Sequence, residues 1–258
     1  MKKFFRTAAF TIAGVLLFSM VQLGSSASAE SPDPVASNAS ANITIGTHNV
    51  WRGKATFTDF AGVIGWQEVE DSADRKKMRN SLPDYYNHYV PKITKPSRKG
   101  AKAVPISWNS KVFKLIDAKS GRAHPGKAGK TPARHVNLVI LKHRKSGEKF
   151  TFINTHFVHG AWNGKVPENK PRWITHSKFL RTVVNNHVKK DMPVFVVGDF
   201  NRHKYLKMKP NPVRVKGMGK KVPIDHVYQY GAKALKKTQK LAKHGSDHHA
   251  YRTPIRIG

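Results

Sequence analysis

The sequence predicts an α/β layered domain built on mixed, mostly antiparallel β-sheets with helices on the outside. Three observations carry this. Short apolar runs recur along most of the chain, several ending on polar residues. Tight-turn signals such as Lys145-Ser146-Gly147-Glu148 join some of them. Helical patterning is sparse, with one clear amphipathic segment over 172–190.

The chain has 258 residues, and its first 29 read as a secretory signal. Lys2, Lys3 and Arg6 precede an apolar run over 8–23, and Ala27-Ser28-Ala29 forms a small-residue cleavage site. The Ser/Ala-rich exit favours cleavage over a membrane anchor, and no other run is apolar enough to span a bilayer. The expected organisation is a signal over 1–29, a flexible Ser/Pro/Ala/Asn leader over 30–41, and one domain over 42–258 that is exported as a monomer.

Taken in chain order, Ile43 to Val50 alternates as a strand, and 52–60 holds one turn of helix at most. Val63 to Val69 is a second strand. Ser72 to Asn80 is a charged helix capped by Asp71 or Ser72. The stretch 91–102 reads as a basic loop. Ala103 to Trp108 and Val112 to Asp117 read as strands joined by an Asn109-Ser110 turn. A second basic loop is expected over 119–130. His135 to Leu141 and Phe150 to Thr155 are strands. The helix over 172–190 starts after Pro171 and aligns Trp173, Leu180, Val184 and Val188. Val194 to Val197 is a buried strand stopped by Gly198 and followed by Asp199 and Asn201. A basic loop over 201–222, a strand over 224–230, a basic helix or loop over 233–243 and a last strand over 250–257 complete the chain.

Charge and composition narrow the function. The formal net charge is +32, and +29 without Lys2, Lys3 and Arg6. Such a one-signed field opposes folding and points to a polyanionic partner. With no Cys in the chain, cysteine nucleophiles and thiolate metal sites are excluded. Against this basic background, Glu68, Asp199, Asp225 and Asp247 fall at or beside strand ends, accompanied by Asn49, His156, Asn201 and His248. Carboxylate and amide oxygens suit a hard divalent cation, and phosphodiester hydrolysis calls for such a cation, a base and cationic help. His48, His159, His203 and His244 read as surface or phosphate-contact residues.

These pieces fall in a familiar order: Thr47-His48-Asn49-Val50, Trp66-Gln67-Glu68, Asn154-Thr155-His156, Gly198-Asp199-Phe200-Asn201, Ile224-Asp225-His226 and Ser246-Asp247-His248. Together they resemble the endonuclease/exonuclease/phosphatase family, the superfamily of deoxyribonuclease I. The resemblance implies a four-layered α/β sandwich with its site at one edge of two packed sheets. It implies a Mg2+ site (Mn2+ or Ca2+ as alternatives) with Glu68 as main ligand, Asn49 assisting and Asp247 completing it. Asp199 and Asn201 would orient the phosphate or the water. His248 would be the general base, oriented by Asp225. His156 would bind phosphate or act as general acid, and Arg134 would contact phosphate. A carboxylate partner for His156 is not evident between Glu68 and Trp108. The charge favours nucleic acid as substrate; the expected activity is that of a secreted endonuclease, on DNA ahead of RNA. A phosphodiesterase acting on phospholipid or another small phosphoester, and a non-catalytic polyanion-binding protein, are the alternatives.

Overall fold

The computed structural model describes residues 40–92, 96–126 and 132–258, with side chains left undescribed over 96–99. The chain divides into two units, Met1–Val35 and Ala36–Gly258. The predicted signal and nearly all of the leader lie outside the described residues. Every described strand and helix belongs to the second unit.

Two mixed sheets pack face to face. The first contains β1 (Ala41–Asn49), β2 (Val63–Gln67), β3 (Tyr86–Tyr89), β4 (Ile106–Asn109), β11 (Lys233–Ala234), β12 (Gln239–Lys240) and β13 (Tyr251–Ile257). Its order is β11-β13-β1-β2-β4-β3, with β12 also on β13, and β1 and β2 run parallel. The second contains β5 (Phe113–His124), β6 (Arg134–His143), β7 (Lys149–His156), β8 (Val194–Asp199), β9 (Asn211–Pro212) and β10 (Asp225–Tyr230). Its order is β5-β6-β7-β8-β10-β9, and its parallel pair is β7 with β8. Helix α1 (Ser72–Ser81) covers the first sheet and α2 (Lys170–Val188) the second.

The four layers follow from which side of each strand is apolar. Val139, Leu141, Phe195 and Val197 face Ile43, Ile45, Val63 and Trp108 in the core between the sheets. Their neighbours Leu138, Ile140, Val194 and Val196 face Trp173, Leu180 and Val184 of α2. A strand covered on both sides must be apolar at every position, as Val194 to Val197 is. On the far side, Ile64 and Trp66 pack with Met78 of α1 and with Phe57. Helix α1 is fixed by a capping box. The Asp71 carboxylate accepts from Asp74 N–H at 2.8 Å, and Asp74 accepts from Asp71 N–H at 3.3 Å. Such a cap is worth about 1 kcal/mol.

At the site end the sheets are locked by buried amides. Asn154 on β7 donates to the Trp66 carbonyl at 2.7 Å and the Pro105 carbonyl at 2.9 Å, and accepts from Gln67 at 2.7 Å. Gly65 makes room for it, since a Cβ there would lie 2.7 Å from the Asn154 side chain.

Several expectations are corrected. β4 and β5 belong to different sheets, so Asn109-Ser110 turns the chain from one layer to the next and closes no hairpin. Residues 119–124 continue β5 as strand, its polar faces masking it in the sequence. Within 91–102 the chain forms a 3-10 helix over Pro96–Ala103. The remainder of those two basic stretches, 93–95 and 127–130, lies outside the described residues. Gly198 does not stop β8, which runs through to Asp199. No helix forms over 233–243, where short β11 and β12 pair with β13. His48 is fully buried, in ring contact with His244, Phe60 and Trp66, and is not a surface residue.

Candidate active site

Strand register assembles the site. His156 ends β7 and is paired with Asp199, which ends β8; Asp199 is in turn paired with Asp225, which begins β10. Three functional side chains therefore stand abreast at one edge. Gly198 allows the tight pairing, since a Cβ there would collide with the Thr155 carbonyl oxygen. Arg134 begins β6 on the same edge. The first sheet brings Asn49 at the end of β1 and Glu68 just past β2, and the turn before β13 brings Asp247 and His248. Glu68 and Asn201 both hold positive φ, 63° and 49°, a conformation costly for non-glycine residues and concentrated at functional sites. Glu68, Asp199, Asn201, Arg134, His156, Asp247 and His248 line a single open cleft of about 610 Å³.

Asp199 is the hub. It is buried and accepts from Asn201 N–H at 2.7 Å and from the Asn49 amide at 3.1 Å. His156 Nε2 lies 3.4 Å away and His248 Nε2 3.9 Å. Burial would raise its carboxyl, but the bond and charge of His156, then His248 and the Asn201 N–H, hold it below the ordinary range. Asn49 also donates to Glu68 at 3.1 Å, so one amide ties carboxylates from both sheets.

The two histidines have opposite partners. His248 Nδ1 meets Asp225 at 2.9 Å, so Nδ1 carries the proton and Nε2 faces the cleft. Burial works against its charged form. Asp225, then Asp199 and Asp247, outweigh it and push His248 up to about 10. Asp225 is raised to about 6 by burial, with His248 pulling the other way. His156 Nδ1 instead meets the Arg134 guanidinium at 3.0 Å. Arginine only donates, so Nδ1 accepts and Nε2 carries the proton. Burial first, and Arg134 second, lower the His156 pKa, with Asp199 opposing. The partner sought for His156 among carboxylates is therefore an arginine.

Every residue of the expected metal, catalytic and phosphate set reaches this edge. Asp247 is the most open of them, its side chain 54% exposed and 3.9 Å from His248. Among the His and carboxylate side chains of the described residues, ligand atoms of Asp199, Asp225 and His248 cluster within 4.8 Å of one another. Asp225 Oδ2 is already taken up by His248 Nδ1 at 2.9 Å. Glu68, by contrast, is part-exposed, and Asp247 has its carboxylate open to the cleft. That set of hard oxygens, together with the Asn49 amide, fits a divalent cation in chemistry and charge.

Sequence reasoning missed Trp51, Arg52 and Glu70 in the cleft lining. Glu70 stands two residues past Glu68, and its carboxyl is raised by partial burial and by the Glu68 charge. Its closeness to Glu68 was the available signal. Trp51 and Arg52 gave no pattern, because their placement depends on backbone strain.

Residues 46–248 match the sequence profile of the Endonuclease/Exonuclease/phosphatase family, and the chain belongs to that family of phosphoester hydrolases. The fold recurs in an endonuclease/exonuclease/phosphatase family protein from Bacteroides thetaiotaomicron, with TM-score 0.65, 13% identity, and 85% of this chain and 99% of the other covered. It recurs in a mannosyl-6-phosphatase from the same bacterium, with TM-score 0.60, 14% identity, and 83% and 99% covered. It recurs also in the human nocturnin catalytic domain with a bound sulfate anion, with TM-score 0.57, 14% identity, and 83% and 94% covered. Among curated proteins, none matches the chain by sequence.

Proposed function

We propose that this protein is a secreted, divalent-metal-dependent nuclease that hydrolyses phosphodiester bonds, an endonuclease on DNA ahead of RNA. The observation that carries the reading is the pairing of one cleft's contents with the whole chain's charge. Four carboxylates and two oppositely partnered histidines converge in an open cleft on a protein of net charge +29 once Lys2, Lys3 and Arg6 are set aside. A long polyanion matches the charge, and the open cleft admits one.

The roles follow from the contacts. His156, with its proton on Nε2 and Arg134 behind it, donates to a phosphoryl oxygen, and the Asn201 amide 3.3 Å from that nitrogen shares the task. Asp225 fixes the His248 tautomer so that Nε2 faces the reacting water. Glu68, Asn49 and Asp247 are the residues that would hold the cation. A divalent ion there would supply charge neutralisation for the phosphoryl group. His248, held by Asp225 with Nε2 toward the cleft, is the group placed to take a proton from the attacking water. The histidine thus serves as base, and Asp199 keeps its place as the group that positions phosphate or water.

The test is supercoiled plasmid, linear DNA and RNA, each with a panel of divalent ions. Nicked circles with Mg2+ or Mn2+, abolished by EDTA and by His248→Ala, are expected. DNA and RNA left intact under every ion would overturn the reading. The mannosyl-6-phosphatase among the structural neighbours favours a second reading, a small phosphoester. Hydrolysis of a sugar phosphate with DNA untouched would select it.

A further inference from the structure

Trp51 is the feature that the catalytic roles leave unused. Trp66, Trp108 and Trp173 are buried, whereas Trp51 is 39% exposed and lines the active-site cleft. It sits in an unusual backbone. Trp51, Arg52 and Gly53 hold successive φ values of 47°, 52° and 69°. Glycine adopts this region freely, but a bulky residue there is an outlier that its surroundings must enforce.

Those surroundings are the site itself. Trp51 N–H donates to Asn49 Oδ1 at 3.0 Å, and Arg52 N–H donates to Glu68 Oε2 at 3.1 Å. Lys77 clamps the far side by donating to the Gly53 carbonyl at 2.8 Å. Backbone groups make these contacts, so Asn or Gly at 51 would make the same turn with less strain. The indole is therefore not explained by the turn it occupies. Nor is it explained by burial. Lys54 Nζ lies over one face of the ring, 3.7 Å from its centroid, which orients the ring, adds a cation to it and restricts stacking to the other face.

An exposed, strained aromatic at the mouth of a phosphate site, with an ammonium on its ring, has the makings of a stacking platform. Every nucleobase offers a π-face to such a ring, and the neighbouring cation suits a backbone phosphate. We infer that Trp51 and Lys54 form a base-stacking subsite for the nucleoside flanking the scissile phosphate. The substrate must then present an unstacked base there, as single-stranded or frayed nucleic acid does and as supercoiled duplex does where it opens. This rests on the nuclease reading of the same cleft and names the form of nucleic acid it takes.

The experiment compares short single-stranded oligonucleotides, intact or carrying one abasic residue at successive positions around the cut. The wild-type protein is expected to prefer the intact strand by about tenfold in kcat/KM, mainly through KM, when the gap falls at one flanking position. In Trp51→Ala that preference collapses to near unity, and Trp51→Phe restores most of it. Retention of the wild-type preference in Trp51→Ala would overturn the inference. So would an equal fall in kcat on intact and abasic strands, the mark of a turn that only supports Asn49 and Glu68. A second readout needs no turnover. Titrating the intact oligonucleotide in EDTA should quench tryptophan fluorescence in the wild-type protein and not in Trp51→Ala. Absence of quenching in the wild-type protein also counts against the subsite. A wild-type protein that cuts no nucleic acid yet shows the Trp51-dependent quench would fail the nuclease reading while leaving the subsite standing.

Discussion

The two sides of the cleft use the same side chain in opposite states. On one side, His248 lies against Asp225 and is held with high proton affinity, pushed up to about 10. On the other, His156 lies against Arg134 and is held below its ordinary value by burial and by that arginine. Both rings are largely buried and both approach Asp199. Desolvation lowers each of them, so the partner on the second nitrogen decides the difference. A carboxylate there makes the imidazole a proton acceptor in waiting, and a guanidinium makes it a neutral donor. Under the proposed roles, one residue type would supply both a base and an oxyanion contact, each ring within 4 Å of Asp199.

The comparison can be broken in several ways, and acid should break it most severely. His48, His124 and His226 are buried and lowered to about 4, and His176 lies well below its ordinary 6.5. Their folded values are depressed, so the unfolded chain binds protons first and stability falls as pH drops from 6.5 toward 4. For His226 alone, 1% exposed, the loss is up to about 3 kcal/mol. Thermal melts should show Tm declining steeply across that window, and a flat Tm would contradict it. His248→Ala comes next, with kcat on plasmid DNA down about 1,000-fold and Tm lowered, because buried Asp225 loses its partner. Asp225→Asn should cost about 100-fold in kcat. It also removes the largest charge that raises His248, so the rising limb of the pH–rate profile should move to lower pH. Arg134→Ala should act mainly on KM, raising it about tenfold, because a charge-assisted contact behind the phosphate donor is lost. A fall in kcat as large as that of His248→Ala would mean that His156 transfers a proton, rather than binding phosphate.

Much of this was legible in the sequence because strand ends are punctuated. Asn49, His156 and Asp199 are the last residues of strands whose apolar runs can be read directly, and register does the rest. The buried β8 and the amphipathic α2 were readable for the same reason. Long-range partners were not. Nothing local to His156 announces Arg134, which reaches it across the β6–β7 pairing. The switch of sheets between β4 and β5 looked like a hairpin, because a turn between strands carries no mark of which layer each strand joins. Residues 119–124 looked like a loop, since β5 is an edge strand and its polar faces need no apolar run. Trp51 was invisible because its meaning lies in a positive φ.

The catalytic roles turn on the opposed states of the two histidines, and those states can be seen directly. Imidazole nitrogen shifts recorded by NMR in EDTA at pH 7.5, with His156→Asn and His248→Asn for assignment, report charge and tautomer ring by ring. His248 should be the imidazolium, bonded through Nδ1–H to Asp225, and His156 should be neutral with its proton on Nε2. A His156 that is charged at that pH, or a His248 that titrates near 6.5, would contradict it.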